Sequence, residues 1–422
     1  MDVPISTDQT MKPSPSPLRV LLAIGFGTCL SLLGDASMYT VLPTHTLEAG
    51  VTIAAVGILL SANRWVRLAL NGPMGIIYDR WNRRPLFLAA LFTGAISTAI
   101  YGYTNGFWPL LMGRLLWGLS WAGIWVGGNT IILDVTGLDN RGRWMGFYQI
   151  AFFLGAASGS VLGGTLTDLI GYHNTMKIHA GLTLLGATIA LIFLPETRRV
   201  SHPPGRYVSK QEDSPAPSIP PARIQLLSAT ALHAVNRIVM AGMLTSTFGL
   251  YLLEKFGDTV QIGDRSYGVA TITGIGLGSA TLISMFSAPI SGAISDRMKN
   301  RWRTASGGLI PGIAGLSLLA IGSPLLIMMG IPLTAVTSGS NQGLATTMVG
   351  ELGQAGKRGR RLGGLFTVGD LMSAVGPLLA YALIPVIQLK GVYILAASLY
   401  ASMFLITLWL ATQSRPNTAK PE

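Results

Sequence analysis

Six ionisable residues stand inside stretches that are otherwise apolar: Arg64, Arg67, Arg114 and Arg237, with Asp35 and Asp370. A charge set deep in an apolar layer costs about 3 kcal/mol or more unless it is paired or faces water. Asn63, Arg64, Arg67 and Asn71 fall on one face if their segment is helical, because residues three and four apart are neighbours there. Similar polar stripes are Ser31, Asp35 and Tyr39; Thr230, His233, Asn236 and Arg237; and Thr334, Thr337, Ser338, Asn341 and Gln342. Polar faces on four separate apolar segments predict one shared aqueous cavity, its solute site lined by Asn63, Arg64, Arg67, Asn71, His233, Asn236, Arg237, Ser338 and Asn341. Three readings of Arg64, Arg67 and Arg237 stand side by side. They bind an anionic or zwitterionic solute, they neutralise Asp35 and Asp370, or they line the cavity without a contact.

The elements that must hold these residues follow from composition. Half the 422 residues are hydrophobic and 11% are charged, well below the roughly 25% of soluble domains. Twelve apolar segments, at about 18–42, 52–78, 84–104, 107–134, 144–169, 175–195, 225–253, 266–293, 304–322, 324–350, 362–387 and 391–412, approach the ~20 residues that a membrane-crossing helix needs. The fold class expected is an all-α polytopic membrane protein of two six-helix bundles, 18–195 and 225–412. Polar tails at 1–17 and 413–422 and a Pro-rich linker at 196–224 complete the chain. The first apolar run passes 20 residues without an A-x-A site, so it reads as a retained span and not a signal peptide.

Of the 30 Lys and Arg residues, 22 fall in the tails, the linker and the loops on their side, and four (Lys177, Lys255, Arg265, Lys390) in the opposite loops. That is the positive-inside pattern, with both termini and the linker cytoplasmic. It accounts for the net charge of +12 without nucleic acid. The single cysteine, Cys29, allows neither an internal disulfide nor a thiol metal cluster, and no phosphate-binding G-x-x-x-x-G-K-[ST] loop is present. No cofactor or metal is expected, and the chain reads as a non-enzyme.

Two charged signatures repeat at one offset of 217 residues. G-I-I-Y-D-R-W-N-R-R at 75–84 is answered by G-A-I-S-D-R-M-K-N-R at 292–301, so Gly75, Asp79, Arg80 and Arg84 match Gly292, Asp296, Arg297 and Arg301. Asp134 is answered by Glu351, and Arg141-Gly142-Arg143 by Arg358-Gly359-Arg360. Repetition held in register over such a length argues for a duplicated half.

Twelve spans in two halves, the long linker and the G-x-x-x-D-R-x-x-R-R turn in both halves together resemble the major facilitator superfamily over nearly the whole chain. Asn82 and Lys299 stand where that turn often has a second glycine. R-L-L-W-G-L-S-W from Arg114 is similar to the R-x-x-x-G pattern of proton-coupled members. G-A-A-S-G-S-V-L-G-G, with Gly155, Gly159, Gly163 and Gly164, resembles the exporters' G-x-x-x-G-P-x-x-G-G signature, with Ser160 at the proline. The resemblance implies a monomeric secondary transporter in the cell (inner) membrane that moves a small solute by alternating access, with proton-coupled export of an anionic, zwitterionic or amphipathic compound favoured. Proton-coupled uptake of an organic anion is the alternative, and a non-transporting receptor or scaffold the more distant one.

Gly75 and Gly292 are expected where helices approach closely. Asp79 and Asp296 are expected to cap helix ends, and Arg80 and Arg297 to pair with Asp134 and Glu351. Such contacts would latch the cytoplasmic ends of the halves. Asp35 and Arg114 both fall in the outer part of the membrane, about 25 Å along the first span and about 10 Å in from the outer face on the fourth. A carboxylate in an apolar cavity keeps a proton and loses it as an arginine approaches, which makes a proton carrier; the competing reading is a static buried pair. Asp370 is a second candidate carrier. Asp168 reads as an interfacial cap, His173 and His179 as interfacial, His233 as packing or a proton site, and Trp117, Trp121 and Trp125 as helix packing or an aromatic wall.

Overall fold

The computed structural model describes residues 15–137, 140–198, 222–352 and 358–413. Most of the expected tails and linker thus lie outside the described residues. The helices are α1 (Pro17–Val41), α2 (Ile53–Arg80), α3 (Arg83–Tyr103), α4 (Phe107–Val135), α5 (Arg141–Ile170) and α6 (Tyr172–Phe193). After them come α7 (Ala222–Asn236), a π-helical segment (Arg237–Leu244), α8 (Thr245–Phe256), α9 (Val269–Met298), α10 (Arg301–Ile321), α11 (Pro324–Glu351) and α12 (Arg358–Gln413). Proline opens α1 and α11, where its missing N–H is no loss and its fixed φ suits the helix. Gly322, at φ 81°, closes α10 in the left-handed conformation, and the Asn300 side chain caps that helix by accepting from the Arg303 N–H at 3.0 Å.

Among the described residues, ten helical stretches are long and apolar enough to cross a membrane. The π-helical segment joins α7 and α8 into one of them, Arg223–Phe256. The 56 residues of α12 are interrupted at Gln388, whose φ of 59° and ψ of 172° are not helical. The sequence reading placed a short loop there; the helix is broken by a kink at that one residue. A β-hairpin that the all-α reading did not anticipate stands between α8 and α9. Its strands β1 (Thr259–Ile262) and β2 (Arg265–Gly268) pair antiparallel from Thr259 with Gly268 to Ile262 with Arg265. The two-residue turn has Gly263 at φ 62° in its first position, as a II′ turn requires.

Packing within the first six helices joins α1 to α5 and α6, α3 to α4 and α6, and α2 to α4. Among the later helices α10 packs on α11 and α12, α9 on α11, and α7 on both α11 and α12. One apolar core draws only on the first six helices and the residue after them, with Ile24, Phe87, Trp117, Trp121 and Tyr148. Trp117, Trp121 and Trp125 stack at 5.9 and 5.7 Å between centroids within or against that core, which is helix packing.

Two main seams join the early helices to the late ones, α5 with α9 and α2 with α12, and α1 also touches α8 and α9. Both seams are tight at the end away from the 81–82 and 299–300 turns. A Cβ on Gly164 would run into the Ala270 carbonyl and one on Gly274 into that of Ser160. Gly57 of α2 lies against Pro377 and Tyr381 of α12. Towards the turn-bearing end, Cβ atoms on Gly72, Gly75, Gly146, Gly292 and Gly363 would meet nothing within 4 Å.

Candidate transport site

Asp35 and Arg114 meet. The Arg114 Nη1 donates to Asp35 Oδ1 at 2.5 Å, its Nε to the Leu59 carbonyl at 3.0 Å and its Nη2 to the Tyr39 hydroxyl at 3.1 Å. Arg114 has no exposed side-chain surface, whereas Asp35 keeps 17%. The cation is therefore fixed from three sides and the carboxylate keeps some exposed surface. Asn63 Nδ2 approaches the same Asp35 oxygen at 3.5 Å.

The polar face of α2 crosses the second seam. Arg64 donates to the Ser373 carbonyl of α12, and its guanidinium carbon lies 4.9 Å from the centroid of the Tyr39 ring. Arg67 pairs with Asp370 at 2.8 Å, and Asn71 Nδ2 donates to the other Asp370 oxygen at 3.1 Å. A carboxylate of α12 is thus held by two donors of α2, at the four-residue spacing that puts them on one face.

Arg237 opens the π-helical segment, and π turns recur at functional sites. It lies within electrostatic range of Asp370, Arg64, Arg67 and Tyr39. No described residue forms an ion pair or hydrogen bond with its side chain. Around this space stand four arginines and two carboxylates, an excess of positive charge.

Several expected cavity residues are occupied elsewhere. Asn236 donates to the Ser338 carbonyl at 3.0 Å and accepts from the Tyr400 hydroxyl at 3.0 Å, which ties α7 to α11 and α12. Asn341 has no exposed surface and donates back to the Thr337 carbonyl at 3.3 Å. His233, 2% exposed, stands edge-on to Phe366 with its Nδ1 unpartnered. These three lie within helix packing, with little or no surface on the cavity.

The charged turns also differ from the sequence reading. Arg83, not Arg80, pairs with Asp134, at 3.0 Å; Arg301, not Arg297, grips Glu351 through Nε at 2.6 Å and Nη2 at 2.5 Å and reaches Asp296 at 3.1 Å. Asp79, Arg80 and Arg297 are exposed. Arg80 and Arg297 stand in the last turns of α2 and α9, whereas Arg83 and Arg301 open α3 and α10 and reach the ends of α4 and α11; the structural repeat is thus one residue out of step with the sequence repeat. Both pairs also lie on one side of the seams, between a helix start and the end of α4 or α11, and so do not join the halves. Gly75 and Gly292, expected at close contacts, face open space.

Glu196, read as the start of the linker, is a cap that the sequence reading missed. Its carboxylate accepts the backbone N–H groups of Arg83 and Arg84 at 3.0 and 3.2 Å, where a helix N-terminus favours negative charge. The Pro-Glu-Thr after a long apolar run was the available signal. Asp168 accepts from the Thr271 N–H at 2.6 Å, so it caps the first turn of α9 across the α5–α9 seam. His179, expected at the interface, is fully buried with Nδ1 2.8 Å from the Ser37 hydroxyl. The glycine run of α5 is a contact ridge: Gly155, Gly159 and Gly163 lie against Cys29, Leu33 and Ser37 of α1, and Gly164 against α9.

A profile of the Major Facilitator Superfamily matches residues 24–356 and 226–422. The chain belongs to the major facilitator superfamily. Over 374 residues it is 27% identical to a class G tetracycline resistance protein of Vibrio anguillarum, covering 86% of this chain and 88% of that one. Over 381 residues it is 25% identical to a class B tetracycline resistance protein of Escherichia coli, at 86% and 87% coverage. Among solved structures, a bacterial homologue of the human lysosomal transporter Spinster, inward-facing and occupied, superposes with a TM-score of 0.78 at 16% identity, covering 97% of this chain and 100% of that one. The human organic anion transporter MFSD10 gives 0.62 at 18% identity, with 93% and 100% covered. This member of the superfamily is a multi-pass integral membrane transporter of small solutes, and not an enzyme.

Proposed function

We propose that this transporter exports an organic anion, or a zwitterion recognised through its anionic group, in exchange for protons by alternating access. The observation that carries the substrate class is Arg237. It is a cation without an acidic or hydrogen-bonding partner among the described residues, beside Arg64, Arg67 and Asp370, near the interface of two repeats where transporter substrates bind. The substrate anion supplies the missing partner. Export is supported by the names of the relatives, which are resistance proteins, and by the glycine run on α5. Proton coupling is assigned to the Asp35–Arg114 pair, with Asp370 and Arg67 as a second pair that spans the seam.

The topology proposed has twelve crossings in two six-helix bundles, 18–195 and 225–412, with both termini and the linker cytoplasmic. The break at Gln388, the 28-residue length of α11 and the 22-to-four distribution of basic residues support it. In that orientation the turn-bearing end is cytoplasmic, and glycines packed against the facing helix at the far end but open at the near one support an inward-open state. The working unit is proposed to be a monomer without a nucleic-acid partner.

Thermal stability of the detergent-purified protein tests the substrate class. A ligand at about 100 times its dissociation constant stabilises by about 2.7 kcal/mol. Aromatic and aliphatic carboxylates are expected to raise the melting temperature of the wild type and not of Arg237→Ala. Stabilisation by lipophilic cations alone would overturn the anion reading.

A further inference from the structure

We propose that Tyr39 is a positioning residue that couples the Asp35–Arg114 ion pair to the contact between α2 and α12, through both its hydroxyl and its ring. The proposal rests on the proton-coupled reading above. Tyr39 follows Asp35 by one turn of α1 and is 6% exposed. Its hydroxyl donates to the Leu60 carbonyl at 2.9 Å, with Asn63 Oδ1 at 3.4 Å sharing that hydrogen, and accepts from Arg114 Nη2 at 3.1 Å. A phenol has one hydrogen to give, so the donor is committed to α2 and an acceptor to α4.

The ring adds a second link. The guanidinium carbon of Arg64 lies 4.9 Å from its centroid and that of Arg114 5.1 Å. Cations are drawn to an aromatic face, but two of them share this one. Arg64 also donates to the Ser373 carbonyl across the seam, and Arg67, one turn further along α2, holds Asp370. Tyr39 therefore touches the arginine of the buried pair and the arginine of the seam at once.

The sharing is stable while Asp35 is ionised, because the carboxylate holds Arg114 to its own side. When Asp35 takes a proton from water in the cavity, its negative charge is gone and the attraction on Arg114 falls. Arg114 then keeps the Tyr39 oxygen and ring, with the Tyr101 hydroxyl beside it, and at the Tyr39 ring it competes with Arg64. Arg64 is displaced from the ring, and its bond to Ser373 and the Arg67–Asp370 pair beside it are disturbed. Loss of the proton to water restores the first arrangement. The charged and titratable groups that face this cluster are Arg114 on α4, Arg64 and Arg67 on α2, Tyr101 on α3, Tyr172 on α6 and Arg237 across the cavity. His179 of α6 bonds to Ser37, two residues before Tyr39 and therefore on a different face of α1.

The test needs no transported solute. Cys29 is the only cysteine, so spin labels at Trp81→Cys and Gly364→Cys in a Cys29→Ser background report the separation of the turn-bearing ends of α2 and α12 in the full-length protein. The distance distribution is measured from pH 5 to 9. The wild type is expected to shift between two populations with one midpoint, and Asp35→Asn to show no shift. Tyr39→Phe, which keeps the ring and loses the hydroxyl, is expected to move the midpoint by about one pH unit, a tenfold change in proton affinity. Tyr39→Leu is expected to flatten the response. If the wild type and Asp35→Asn behave as stated while Tyr39→Phe keeps the wild-type midpoint, the Tyr39 proposal alone is overturned. If the wild type shows no pH response, the proton-coupled reading is overturned and this inference with it. Should Tyr39→Leu fail to fold, Tyr39→Phe carries the decision.

Discussion

Arg114 and Arg237 show how one side chain serves two ends in one protein. Arg114 is buried and spends its donors on Asp35, Leu59 and Tyr39; Arg237 forms no such bond among the described residues. A buried charge without a partner is expensive, so the first has to be fixed and the second has to face a cavity or a ligand. The difference predicts the behaviour of Asp35. Asp35→Asn keeps an acceptor near Arg114 but cannot cycle a proton, so gradient-driven transport in proteoliposomes should fall about tenfold or more, equivalent to ~1.4 kcal/mol or more. Solute exchange without a gradient should persist. Gradient drive that survives in Asp35→Asn would remove the residue from the coupling mechanism.

At the scale of elements, the charged turns act locally. Arg83 is 8% exposed and joins the start of α3 to Asp134 near the end of α4, with the Tyr78 carbonyl as a further acceptor. Removing one partner of a buried pair leaves the other uncompensated, at about 3 kcal/mol, whereas surface substitutions stay within about 0.5 kcal/mol. Arg83→Gln is thus expected to lower the thermal unfolding temperature clearly and Arg80→Gln to leave it nearly unchanged. The opposite order would restore the pairing that the sequence repeat suggests. The bidentate Arg301–Glu351 pair, with both partners part-exposed, should matter less than Arg83 for the same reason of solvent screening.

At the scale of the molecule, the two seams decide which face is open. The far end of the α5–α9 seam closes because Gly164 and Gly274 let backbone meet backbone, and Asp168 caps α9 across it. Gly164→Leu cannot share that space with Ala270, so the closed far end is expected to be lost. Spin labels at Leu169→Cys and Ser266→Cys in the Cys29→Ser background should then report a longer distance across the far end, together with loss of transport. An unchanged distance would mean that the seam tolerates bulk and that the glycine is not what permits closure.

Much of this was legible from residue order. Apolar runs of about twenty residues declare membrane helices, because lipid offers the backbone no partner outside the helix. Asp35 and Arg114 could be matched because helix rise places two lone charges at one depth. Asp370 and Arg67 could not: they stand 303 residues apart, and which helix faces face each other across a seam depends on rotations that no local period records. The same limit hid the pairing of Asp134 with Arg83, the π turn that presents Arg237, and the burial of Asn236 and Asn341 against neighbouring helices. Residue order by itself determined the membrane character, the long apolar helices and the charges a membrane protein must reconcile. Only the tertiary structure decided which charges are partners, because pairing is set by helix rotation and packing, and these emerge from contacts between distant segments.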